Sequence, residues 1–197
     1  MRTGRRWSIA AFLAATAFAG ACLSPVKNPA GDSLADSDGR RFLTQAVVDT
    51  WARESALAAR RLIDSYGVPD EVRSDHLAWN HHGPWRKTVV RDLTPAYGHP
   101  EDLPLVRQTI AYEMTGADAD ALARFDDRLS FDAAAGELSV TSDREEVNFL
   151  RMNLADGIVR RALSPAQARE IYAQTLTLEA SGKSSPYLSG LIFVPEL

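Results

Sequence analysis

Four histidines, a single cysteine and two closely spaced tryptophans are the residues of this 197-residue chain whose chemistry has to be tested first. Imidazoles bind zinc or move protons, but a zinc site needs several ligands converging on one point. His81 and His82 are adjacent, so on a strand their side chains point to opposite faces. His76, His82 and His99, with Asp75 or Asp92, would meet only through tertiary folding. The simpler expectation is exposed loop histidines, with no metal and no cofactor. The chain has no G-x-G-x-x-G, no P-loop and no H-E-x-x-H. It has no G-x-S-x-G either, and Ser189 in "YLSGL" precedes a glycine outside any nucleophile elbow. The adjacent carboxylates Asp126/Asp127 and Glu145/Glu146 read as solvated helix ends. A glycosidase would need two carboxylates facing each other across a cleft.

Trp79 and Trp85 flank the loop "NHHGP" and carry two readings. Both can be core residues of a hairpin. Alternatively, one forms an aromatic platform with His81, His82 and Arg86 at its rim, suited to a peptide or a glycan. Trp79 follows a helix-ending turn and is the better core candidate. Trp85, beside the loop and Arg86, is the better platform candidate.

The elements that position these residues follow from periodicity. From Phe42 to Tyr66, Val47, Trp51, Ser55, Ala58, Leu62 and Tyr66 recur at spacings of three and four, which predicts one long helix. Gly67 can cap it, and Pro69 prevents its continuation. A strand is expected around 76–80, its hairpin partner at 85–91, and a third strand in "LVRQTIAYEM". A short helix at 118–125 precedes two strands, "RLSFD" and "GELSVTS", joined through "AAAG". Two helices close the chain. The first begins after Ser142, with Glu145 expected to complete a capping box. The second begins at Ser164, with Pro165 at its first position and Gln167 as the reciprocal partner. Hairpin-linked strands with flanking helices predict an α+β domain over 41–197. Its antiparallel sheet would have about five strands, packed by an N-terminal long helix and two C-terminal helices. The apolar tail "PYLSGLIFVPEL" either docks on the sheet or serves as a partner-binding segment.

Ahead of this domain stands "MRTGRRWSIAAFLAATAFAGAC". Arg2, Arg5 and Arg6 form a basic n-region. The uncharged stretch from Trp7 to Ala21 is short of the ~20 apolar residues of a membrane span and has the form of a signal-peptide h-region. Ala19-Gly20-Ala21-Cys22 resembles a bacterial lipobox, with Ala19 where Leu is usual. The resemblance implies a signal peptide over 1–21 and acylation of Cys22. It also implies a membrane partner through that lipid. Leu23 follows the cysteine where inner-membrane retention typically uses Asp, so the resemblance implies outer-membrane placement, periplasm-facing. "GRRWSIAAF" also has a faint likeness to a twin-arginine signal, but Ser8 occupies the place of an apolar residue. Residues 22–40, rich in Pro, Gly, Ser and Asp, are expected to form a flexible tether. Acylating Cys22 would leave the domain with neither a free thiol nor a disulfide.

Hydrophobic residues make up 45% of the chain and charged residues 24%, as in ordinary globular proteins. The formal net charge of −4 has no basic stripe against it, so no nucleic-acid partner is expected. "RRLIDSYGVPDEVRSDHLAWN" resembles the helix–turn–strand segment of small outer-membrane lipoproteins of the SmpA/OmlA (BamE) type. That resemblance implies an envelope scaffold role and no particular functional residues. The reading is a lipid-anchored cell-envelope protein acting as a binding or scaffolding module for an envelope protein or glycan. The alternative is an envelope hydrolase using His81 or His82 with a carboxylate.

Overall fold

A computed structural model describes residues 29–93 and 103–195. The expected signal peptide, Cys22 and His99 lie outside the described residues. The chain runs α1 (Pro29–Val48), α2 (Arg53–Tyr66), β1 (Glu71–Val72), β2 (His76–His82), β3 (Trp85–Arg91), β4 (Val106–Ala111) and α3 (Gly116–Phe125). It continues through β5 (Leu129–Asp132), β6 (Glu137–Ser142), α4 (Glu145–Val159), α5 (Pro165–Ala180) and the single turn α6 (Pro186–Ser189). The six strands form one antiparallel sheet in the order β1-β2-β3-β4-β6-β5. The α+β class and the antiparallel pairing match the sequence expectation. The sixth strand is β1, a two-residue pairing of Glu71 with Ala78 and Val72 with Leu77. It is too short to leave an alternation signal in the sequence.

The expected long N-terminal helix is two helices. The chain leaves α1 through tight turns at Thr50 and Trp51, and Ala52 is extended, with ψ 148°. Contacts from far along the chain hold this break. The Trp51 indole donates to Ser74 O at 2.8 Å, and the Ala52 amide donates to Asp92 Oδ1 at 2.9 Å. Ser55 Oγ accepts from the Leu93 amide at 3.0 Å. The apolar stripe runs through the break because both helices bury the same side, with Val48, Trp51, Ser55, Ala58 and Leu62 all inside. Within the segment read as a tether, α1 already begins at Pro29.

Helices cover one face of the sheet. Leu77, Trp79, Val90, Val106, Ile110, Leu138 and Val140 point into that side at the two-residue period of a strand. Two apolar clusters fill it. One gathers Val48, Trp51, Ala59 and Leu62 over β2 and β3. The other gathers α3, α4 and α5 over β4, β5 and β6, with Leu150, Met152, Leu154 and Ile158 at its centre. At α5 the Ser164/Gln167 capping box is present with Pro165 at the first position, as the sequence predicts. A second box, Thr115 with Asp118, starts α3. The C-terminal tail docks on α4 rather than on the sheet. Asn153 donates to Tyr187 O (3.2 Å) and Gly190 O (2.8 Å) and accepts from the Ile192 amide (2.9 Å).

Candidate functional site

The hairpin β2–β3 turns through Gly83 and Pro84, with positive φ at His81 (54°) and Gly83 (57°). His82 lies opposite Trp85 in the register, yet the four hairpin candidates do not share a surface. Trp85 is 1% exposed, so the platform reading of Trp85 is corrected. Its ring stacks on Phe149 of α4 at 5.1 Å, and its indole N–H points inward. The physical reason is α4, which lies over this end of β3 and makes the loop-adjacent position an interior one. Trp79 is also fully buried. It meets Tyr66 edge-on at 6.0 Å and donates to Gly67 O at 3.0 Å.

His81 is exposed. His82 stacks its ring on Tyr66 at 5.2 Å, with Nδ1 3.3 Å from Asn80 O. Arg86 reaches sideways to Glu137 at 3.1 Å. The histidine that meets carboxylates is His76, with Nδ1 3.0 Å from Asp75 and Nε2 3.9 Å from Glu71. The bond from His76 holds the exposed Asp75 carboxyl below its ordinary range. Among the described residues no three His, Cys, Asp or Glu side chains cluster as a metal site.

Where the sequence showed only a helix end, the structure builds a polar cluster around Glu145. Its Oε1 accepts from the Tyr66 hydroxyl, from Trp85 Nε1 (2.6 Å) and from Gln108 Nε2 (2.9 Å). Gln108, fully buried, also approaches Tyr66 Oη (3.2 Å) and Thr88 Oγ1 (3.4 Å). Its Oε1 accepts from Asn148 Nδ2 (2.9 Å), which donates in addition to Val106 O (3.0 Å). Asn148 Oδ1 is buried without a protein partner. Burial, reinforced by the Glu145 carboxylate, drives the Tyr66 phenol well above its ordinary pKa. The expected capping box at α4 does not form. Ser142 Oγ binds the Arg144 backbone instead, and Glu145 turns inward to meet the sheet. Glu145 and Glu146 therefore part company, one turned in and one exposed. Asp126 and Asp127 do the same, since Asp126 takes a 2.7 Å ion pair with the buried Arg151.

The cluster ties α2, β3, β4 and α4 together at the seam between the two apolar clusters. Beside it a cavity of about 40 Å³, lined by residues that include Arg61, Ser65, Glu145 and Val106, has room for a water or two. The signal that could have exposed Glu145 was Gln108. It is a polar residue at an inward strand position, and a buried amide requires a partner.

Among the described residues the helices and both apolar clusters lie on the other side, and no helix packs on the opposite sheet face. That face presents Asn80, Lys87, Arg91, Arg107, Ser130 and Asp132 as exposed side chains over the small residues Ala78, Thr109, Ala111 and Ser139. Compared with known proteins, the chain matches no family model, no curated protein and no solved structure.

Proposed function

We propose that this protein is a lipid-anchored component of the bacterial cell envelope, held in the outer membrane through Cys22 and facing the periplasm, where it works as a binding or scaffolding module. One observation carries the reading. A basic n-region, an uncharged apolar stretch and Ala19-Gly20-Ala21 run directly into the only cysteine of the chain. The described fold is compatible with such a role. Among the described residues no helix is long and apolar enough to cross a membrane, so an acyl chain at Cys22 would supply the attachment. The polar seam around Glu145 links the helices to the sheet, and the uncovered sheet face offers a surface for a partner.

The test is direct. Mass spectrometry of the membrane-extracted protein is expected to find a mature N-terminus at Cys22 carrying acyl chains. Cys22→Ser is expected to release the protein from the membrane fraction. A mature N-terminus elsewhere, without lipid, would overturn the anchor. Crosslinking and recovery of the native protein from membranes then reads whether it sits in a stable complex.

A further inference from the structure

The uncovered sheet face carries an ordered set of positive charges on a chain whose net charge is negative. Lys87 and Arg91 stand four residues apart on β3, on the same side of the strand. Arg107 on β4 lies opposite Val89, midway between them. At about 3.4 Å per residue, the three cations step along the strand direction at intervals of about 6.8 Å, with Arg107 displaced sideways by one strand spacing. None of the three makes an ion pair with a described acid, although Arg107 donates to Ser130 Oγ at 3.3 Å.

The acids around the face have other partners: Asp75, in the field of Arg91, is bonded to His76 at 3.0 Å, and Glu71 lies in the field of Lys87. Glu71 is bonded to Arg73 at 2.8 Å, and Glu137 to Arg86 at 3.1 Å. Asp132 Oδ1 accepts from the amides of Ala134 and Ala135. Val89 lies between the cations, and the small residues Thr109 and Ser139 lie beside it. Thr109 and Ser139 share one hydrogen bond of 2.8 Å, which leaves one of the two hydroxyl hydrogens to donate elsewhere.

We infer that this face binds an extended acidic segment of a partner protein, one whose carboxylates fall on alternate residues. An extended chain repeats every two residues at about 6.8 Å, the same step as Arg91, Arg107 and Lys87. Such a segment can set one carboxylate against each cation while its backbone rests on the small residues of β4 and β6. The inference deepens the binding-module reading by naming the partner chemistry, but it does not need the lipid. Loss of acylation leaves it standing, and its own failure leaves the anchor at Cys22 intact.

The experiment titrates the purified full chain with two fluorescent peptides of equal composition and charge. One has alternating Glu and Ala, and the other has its glutamates in one block. The alternating peptide is expected to bind more tightly, and salt is expected to weaken it as the exposed charges are screened. Lys87→Gln, Arg91→Gln and Arg107→Gln are each expected to weaken it about two- to fivefold, the range for one exposed ion pair. Together they should cost roughly tenfold or more, while Lys183→Gln, on the helical side, changes nothing. All three side chains are exposed, and circular dichroism checks that each variant is folded. Equal binding of the two peptides would refute the spacing argument. Unchanged binding by the triple variant would refute the site. If phosphatidylglycerol vesicles bind through these cations and the peptide does not, the face reads lipid headgroups and the inference is overturned.

Discussion

Removing the carboxylate of Glu145 is expected to be among the most destabilising single changes in the domain outside its apolar core. In Glu145→Ala the Trp85 indole N–H, inside a residue 1% exposed, loses its 2.6 Å carboxylate acceptor and is left with the Tyr66 hydroxyl beside it. Gln108 keeps the longer approaches to Tyr66 and Thr88, so it is only partly orphaned. The Tyr66 hydroxyl loses its acceptor but still faces Gln108 and lies in a half-buried residue. An unsatisfied buried donor costs about 1–3 kcal/mol, so three donors each partly deprived of an acceptor sum to roughly 2–4 kcal/mol. That is a large share of the ~5–15 kcal/mol that holds a typical domain together. Glu145→Gln keeps an acceptor but gives up charge-assisted bonds about twice as strong as neutral ones, and should lose roughly 1–2 kcal/mol. Urea melts followed by near-ultraviolet circular dichroism read both the stability and the setting of Trp85. A loss under about 0.5 kcal/mol for the alanine variant would refute the view that this carboxylate organises the seam.

Further outcomes follow from the same geometry. The Tyr66 and Tyr112 phenols are both raised, chiefly by burial, so their protons leave the unfolded chain first. Stability should be fully present below about pH 10 and fall as pH rises past it, and Tyr66→Phe should blunt that fall in alkaline urea melts. Asn153→Ala removes three bonds to the tail, and hydrogen exchange should show residues 187–193 opening locally while the sheet stays protected. Arg161 occupies the left-handed position (φ 62°) after α4, where the amide of Ala162 bonds Gly157 O and that of Arg161 bonds Ile158 O. Arg161→Gly relieves the strain while Arg161→Ala keeps it, and both lose the 2.7 Å contact with Asp118. Glycine should therefore be the more stable of the two by about 1 kcal/mol in thermal melts, the reverse of the usual helix ranking.

What the sequence revealed and what it concealed divide along the range of the interactions involved. The β5–β6 hairpin, Gly67 after α2 and the Ser164/Gln167 cap are decided within a few residues, and all three appear in the structure. The break between α1 and α2 is decided by Asp92 and Ser74, which stand 40 and 23 residues from their partners. An apolar stripe that continues smoothly across the break carries no trace of it. Ser142 and Glu145 have the spacing of a capping box, and the local pattern points to one. The sheet prevails over the helix end because Trp85 and Gln108 bring buried donors that the inward-turned Glu145 carboxylate accepts. Trp85 likewise sits next to a loop in sequence but beneath a helix in space. Lys87, Arg91 and Arg107 looked like ordinary polar positions of alternating strands. Their alignment depends on the register between β3 and β4, which no local pattern specifies.

The sheet is bounded by β1, two residues long, and β5, four residues long. A guest strand joining a sheet edge gains its affinity from rows of main-chain hydrogen bonds. A two-residue border strand can offer such a guest little more than a single close pair, and the border at β5 is only modestly longer. Short borders of this kind also guard against sheet-to-sheet polymerisation, a hazard that grows with local concentration. Recognition through side chains on the broad face, rather than through backbone at the rim, is the mode this architecture leaves open.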